Sequence, residues 1–202
     1  MTDFEEEAIS RIDAMSRNER LHADAAEFMR TSLLAQYSYN FAWMSRPIIQ
    51  YPQDMIAMQE LIWRVRPDLI IETGIAHGGS LIFSASMLAL LDMADAIESG
   101  VTLDPAKSNR KVLGIDIDIR AHNRAAIEAH PMASRIQMIQ GSSIAPEVVT
   151  QVCEIAADYQ RVLVSGQQLH PHPFRPSLVF GPVFIAGCLR IRRPDRSNAQ
   201  VR

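Results

Sequence analysis

The stretch Asp68-Leu-Ile-Ile-Glu-Thr-Gly-Ile-Ala-His-Gly-Gly-Ser80 constrains the fold more than any other part of the chain. Leu69 to Ile71 is an apolar run of strand length that ends in an acid, Glu72. It breaks into a turn containing Gly74, Gly78 and Gly79, after which Leu81 to Leu91 reads as a buried helix. The unpaired N–H groups and partial positive charge of a helix start favour an anionic ligand, and glycines let it approach the backbone without a Cβ in the way. The spacing is G-x-x-x-G-G, not the dinucleotide-binding G-x-G-x-x-G. On spacing alone, an ordinary turn of any α/β protein stays open.

The alternation continues downstream. Lys111 to Asp118 is a second apolar run ending in acids, after a loop expected over Asp92 to Ser108. Arg120 to His130 reads as a helix, Ile136 to Gly141 as a third strand, Pro146 to Ala157 as a helix with proline in its first turn, and Arg161 to Val164 as a fourth strand. This predicts a doubly wound, mostly parallel, Rossmann-like α/β sheet whose ligand crevice lies outside the C-terminal strand ends. The turn at 72–80, Asp116 and Ser142-Ser143 all fall on that edge. Asp116 is placed to accept both ribose hydroxyls of a nucleoside lying over the turn. Asp118 is left open, because it is also placed to cap the helix that follows.

Upstream, residues 3–36 carry apolar positions at helical spacing without Pro or Gly, which predicts one or two amphipathic helices. Residues 37–52 are loop-like and unusually aromatic (Tyr37, Tyr39, Phe41, Trp43, Tyr51), fit either to pad the core or to close over a ligand as a lid. Pro52 starts a helix that runs through Val65 and is stopped by Pro67.

With 202 residues and 48% hydrophobic content, the chain suits one domain with a helical extension. No stretch reaches the ~18 to 20 uninterrupted apolar residues of a membrane span, and the start is acidic where a signal peptide is basic; both point to the cytoplasm. Cys153 and Cys188 show neither metal-ligand spacing nor a disulfide framework. The net charge of -3 conceals an asymmetry: residues 161–202 hold seven Arg and one acid, Asp195. A basic tail suggests nucleic acid, but the acidic body repels phosphate, so a small-molecule partner is expected instead.

Three segments carry a resemblance: Arg46-Pro-Ile-Ile-Gln-Tyr-Pro-Gln-Asp54, Arg66-Pro-Asp-Leu-Ile-Ile-Glu-Thr-Gly-Ile-Ala-His-Gly-Gly-Ser80 and Gly114-Ile-Asp-Ile-Asp-Ile-Arg-Ala-His-Asn123. Over about residues 37–164 the chain resembles the cephalosporin hydroxylase / rhamnosyl O-methyltransferase family, similar in fold to class I S-adenosylmethionine (SAM) methyltransferases. The resemblance implies SAM-dependent O-methylation of a sugar or small hydroxylated metabolite. It also implies SAM contacts at Glu72, Gly74, His77, Gly78, Ser80 and Asp116, with adenine near Ser142. The rival readings are a cephalosporin hydroxylase-like oxidoreductase, suggested by the family's label, and a non-catalytic binding module, suggested by the Arg-rich tail.

The family also implies a divalent metal (Mg) held by acids at and beyond the fourth strand, in an Asp-Ser-x-x-Thr-His segment. Here Ser165-Gly-Gln-Gln-Leu-His-Pro-His172 stands instead, with no acid, so no metal ligand and no catalytic residue is assigned. Codons for this segment exist that, read one base later, give Leu-Asp-Ser-Asn-Tyr-Thr-His. The sequence therefore predicts three parts: residues 1–52, helices and aromatic lid segment; 53–164, SAM-binding α/β domain; 165–202, an irregular, frameshifted Arg/Pro-rich tail. A sheet truncated after its fourth strand would leave an apolar edge open to self-association, and a homo-oligomer is one outcome.

Overall fold

The computed structural model describes residues 2–166. The tail expected over 165–202 lies outside them from residue 167 on. Two helices open the chain, α1 (Asp3–Ser16) and α2 (Glu19–Leu34), each started by a side-chain cap, Thr2 and Asn18 respectively. Their apolar residues are largely exposed: α1 buries none, and α2 buries only Ser32, whose Oγ meets the Tyr51 hydroxyl at 2.8 Å.

The aromatic segment is not a loop. After a 3-10 turn at Tyr37–Asn40 it forms a hairpin, β1 (Phe41–Trp43) antiparallel to β2 (Arg46–Ile48). Met44 and Ser45, both at positive φ, make the two-residue turn, in the sense that matches the strands' own twist. Tyr51 is fully buried against Phe28 and Tyr37, and Trp43 stacks edge-on to Phe83 while its Nε1 donates to Ser86 Oγ at 2.9 Å. Phe41, Trp43 and Tyr51 thus pack inward instead of covering the strand tips as a lid, because each finds apolar partners in the core.

Pro52 begins α3 (Pro52–Val65), which leads into β3 (Leu69–Thr73). Then follow α4 (Gly79–Ser99), β4 (Lys111–Asp116), α5 (Ala121–Glu128), β5 (Ile136–Gln140), α6 (Pro146–Ala156) and β6 (Val162–Gly166). The four long-range strands pair in parallel in the order β5-β4-β3-β6. Strand alternation sends Ile70 and Val112 to a core built with α3, α4 and α5. It sends Leu69, Ile71, Leu113 and Ile115 to a second core under α6. Both faces are covered, so the sheet is doubly wound, as the apolar β3 run required. Among the described residues β6 pairs with β3 alone, tied at its start by Arg161 to Asp68 at 3.0 Å.

One expectation needs correction. The segment from Asp92 is no loop: α4 continues to Ser99, where Gly100 closes it in a left-handed C-cap. Asp92 and Asp95 ride on that extension because arginines answer them. Asp92 accepts from Arg110 and Arg135, each at 2.5 Å, and Asp95 accepts from Arg110 at 2.7 Å and from Arg66. The same helix is long and apolar enough to cross a membrane by length and composition, yet Leu81, Ile82, Leu88 and Leu91 lie in the core.

Burial alone would raise the Asp92 pKa. Hydrogen bonds from Ser108, Arg135 and Arg110 outweigh it and hold the carboxyl below its ordinary value. Its stabilisation is therefore complete above the ordinary carboxylate range and is lost as the pH falls through the depressed value. Arg135 is only 3% exposed, so Asp92→Ala leaves a buried guanidinium without its carboxylate. Urea unfolding should show a loss of about 3 to 5 kcal/mol at neutral pH; a loss under about 1 kcal/mol would mean that the network is dispensable.

Candidate functional site

The site lies at the C-terminal tips of β3 and β4, where the chain turns from Glu72 into α4. The register pairs Glu72 with Gly114. Asp116 stands two residues beyond Gly114, so both carboxylates leave the sheet on the same face. The turn of residues 74–78 lies between them and is stitched to β4 at each step. The Gly74 N–H donates to the Ile115 carbonyl at 2.8 Å. Asp116 Oδ2 then accepts the N–H groups of Ile75 at 2.7 Å and Ala76 at 3.3 Å, while its Oδ1 accepts from the Asp118 N–H at 3.0 Å. The Asp116 carbonyl takes the Gly141 N–H at 2.8 Å, which sets Ser142 on the next strand tip.

Glu72 sits in the opposite condition. It is 3% exposed, and the hydroxyl of Ser80, in the first turn of α4, donates to its carboxylate. Burial pushes its pKa up to about 7, against the Ser80 bond, which favours the charged form. Two of the expected cofactor contacts, Glu72 and Ser80, therefore hold each other.

The glycines do more packing than the sequence suggested. Gly78 takes φ +84 with the Ile127 side chain where its Cβ would stand, and a Cβ on Gly79 would come within 2.7 Å of Ile48 Cβ and meet the Pro47 carbonyl. At these two positions the space a Cβ would fill belongs to α5 and the hairpin, not to a ligand. His77 is half-buried, and its backbone carbonyl accepts from Arg46. Asp118 is exposed, and α5 starts without any side-chain cap, so the capping role weighed for Asp118 is not taken.

Two residues given no role from the sequence complete the turn. Arg46, on β2, donates through Nε to the His77 carbonyl at 3.1 Å and through Nη2 to Asn123 Oδ1 at 3.2 Å. Asn123, on α5 and 4% exposed, donates through Nδ2 to the Ala76 carbonyl at 2.9 Å. Ala76 is thereby held at φ +46, a left-handed conformation that a residue with a Cβ seldom adopts. Both residues stand inside the quoted motifs.

The structure thus gathers Glu72, Gly74, His77, Gly78, Ser80 and Asp116 around one turn, with Ser142 one residue past a backbone bond to Asp116. A separate depression lined by Asp68, Ser108, Lys111, Tyr159 and Arg161 opens at the opposite, N-terminal strand ends. Among the described residues no three His, Cys, Asp or Glu side chains group to hold a metal ion, and the segment after the fourth strand, where the family's acids are expected, lies outside the described residues from residue 167 on.

A parallel α/β sheet wound on both faces, with the chain turning from β3 into α4 at its central strand tips, defines a Rossmann-like class of fold. The chain belongs to the rhamnosyl O-methyltransferase/CmcI family, whose model matches residues 35–174. A search of curated protein sequences gives no significant match. Similar solved structures include CmcI in an apo form, at 18% identity and TM-score 0.43 over 62% of this chain and 45% of that one. Others are CmcI with Mg and SAM (18%, 0.43, 66% and 48%) and an O-methyltransferase from Bacillus cereus in complex with SAH (13%, 0.32, 70% and 55%). The chain spans about half the length of these structures.

A buried acid with a raised pKa makes a sign-specific prediction. Below about 4.5 Glu72 is neutral both folded and unfolded; between there and about 7 only the unfolded chain ionises, so stability falls as pH rises and then levels. Glu72→Gln should match the parent at pH 4.5 and be more stable at pH 8 by about 3 kcal/mol, since each tenfold change in proton affinity is worth about 1.4 kcal/mol. Equal stability at both pH values would show that Glu72 is not desolvated.

Proposed function

We propose that residues 53–164 form the SAM-binding unit of an O-methyltransferase acting on a sugar or another small hydroxylated metabolite. One observation carries this reading: in a chain of this family, two strand-tip carboxylates leave one face of the sheet and bracket a single glycine turn at a helix start. When bound, SAM supplies a methyl group activated by a sulfonium charge. The turn and the α4 start suit its amino-acid half, where the partial positive helix end favours a carboxylate. Glu72 lies under the same turn as a counter-charge for an ammonium once deprotonated. Asp116 accepts from ribose, and Ser142, on the adjacent tip, lies toward adenine.

The same proposal includes weak or absent turnover. Transfer requires the acceptor oxygen in line with the methyl at near-attack distance, often with its pKa lowered by a base or metal. The family's acidic segment after the fourth strand is replaced by Ser165-Gly-Gln-Gln-Leu-His-Pro-His172. We attribute the replacement to a shifted reading frame from about residue 165. The family match itself continues to residue 174 and marks no break there. The nucleotide sequence decides the point: codons at 165–172 that cannot yield the acidic segment one base later would remove the shift. Among the described residues β6 pairs with β3 alone, and self-association through its other side is part of the proposal.

Calorimetry with SAM, NAD and a short DNA duplex should give binding heat with SAM alone. Asp116→Ala should weaken SAM by about 1.5 to 3 kcal/mol, the size of a lost hydrogen bond to a charged group. Heat with NAD or DNA instead, or unchanged SAM affinity in the variant, would overturn the assignment.

A further inference from the structure

The bonds that hold the turn also limit what Asp116 can offer a ligand. A carboxylate has about four lone-pair sites. Two on Oδ2 are taken by the Ile75 and Ala76 N–H groups, and one on Oδ1 by the Asp118 N–H. One site remains, on Oδ1. Gripping both hydroxyls of a ribose would require the turn to let go of Oδ2.

The turn is not free to do so. Its Ala76 carbonyl is held by Asn123, and its His77 carbonyl by Arg46, whose guanidinium also bonds Asn123 Oδ1. Asn123 is buried, so withdrawing the Ala76 carbonyl would leave a donor unmet in a site with little water to replace it. Ile127 fills the space beside Gly78, and the Pro47 backbone and Ile48 side chain lie against Gly79, which closes the remaining directions of movement. Ala76 itself stays left-handed only because neighbouring bonds over-determine it.

We propose that Arg46 and Asn123 are positioning residues that lock the 74–78 turn onto Asp116, so that the site bonds one of the two ribose hydroxyls of its cofactor and not both. This rests on reading the turn as a SAM site. The hairpin and α5 thereby set the nucleoside specificity of a carboxylate they do not touch.

The test compares the affinities of the full chain for SAH, 2′-deoxy-SAH and 3′-deoxy-SAH by calorimetry, with thermal unfolding recorded alongside. In the parent chain, loss of one hydroxyl should weaken binding at least about tenfold and loss of the other by less than about threefold, since tenfold corresponds to one hydrogen bond of ordinary strength. Asn123→Ala should weaken SAH at least about tenfold and bring the two deoxy analogues to similar affinity, because the released turn frees Oδ2. Asn123→Asp keeps the size and an acceptor for Arg46 but cannot donate to Ala76. It should behave like Asn123→Ala, and Arg46→Lys should lie between the parent chain and the Asn123 variants; these serve where the alanine variant does not fold. Equal losses for both hydroxyls in the parent chain would overturn the inference. So would folded Asn123 variants that lose only thermal stability and keep the parent's analogue ratio. Failure of the parent chain to bind SAH at all would instead sink the SAM reading beneath it.

Discussion

The Asp116 carboxylate accepting the N–H groups of Ile75 and Ala76 is the contact on which the site depends. A turn between a parallel strand and a helix has backbone N–H groups with no ladder to join, and buried or half-buried donors need partners. Asp116 supplies them from the next strand tip. The β3–β4 register, set by the apolar residues of both strands, is what brings it there. The core therefore determines the shape of the turn: slide β4 by one residue and Asp116 faces the α6 side, with Ile115 in its place.

Two carboxylates on one face of the sheet are treated in opposite ways. Asp116 is half-buried and bonded to three backbone donors. Glu72 is buried with a single hydroxyl donor from Ser80 and holds its proton up to about pH 7. A residue that weakens the fold in its charged form persists where the charge has a use, and the start of α4 beside a glycine turn is such a place. The ion network of Asp92 and Asp95 with Arg66, Arg110 and Arg135 has the converse character: its charges are matched within the fold, far down the same helix, and it ties α4 to the start of β4.

Much of this was legible in the sequence. The apolar run Leu69–Ile71 with glycines after it indicated strand, turn and helix; the alternation indicated a parallel sheet, and the prolines at 52 and 146 marked helix starts. What escaped reading depends on contacts distant in sequence. The Asp92–Ser99 extension looked like an acidic loop because the arginines that neutralise it come from positions 66, 110 and 135. The aromatic segment left two readings open until Trp43 met Ser86 and Phe83. Gly78 and Gly79 looked made for a ligand, yet their near neighbours are Ile127, the Pro47 backbone and the Ile48 side chain. Arg46 and Asn123 were in view within motifs, but only the fold shows that they meet over one turn.

Amide hydrogen exchange with and without SAH examines the central claim at the backbone itself. Bound SAH should slow exchange most over residues 72–80 and around Asp116 to Asn123, leaving the opposite strand ends near Asp68, Lys111 and Arg161 unchanged. Saturating SAH that protects those opposite ends, or leaves residues 72–80 as they were, would contradict the placement of the cofactor between Glu72 and Asp116.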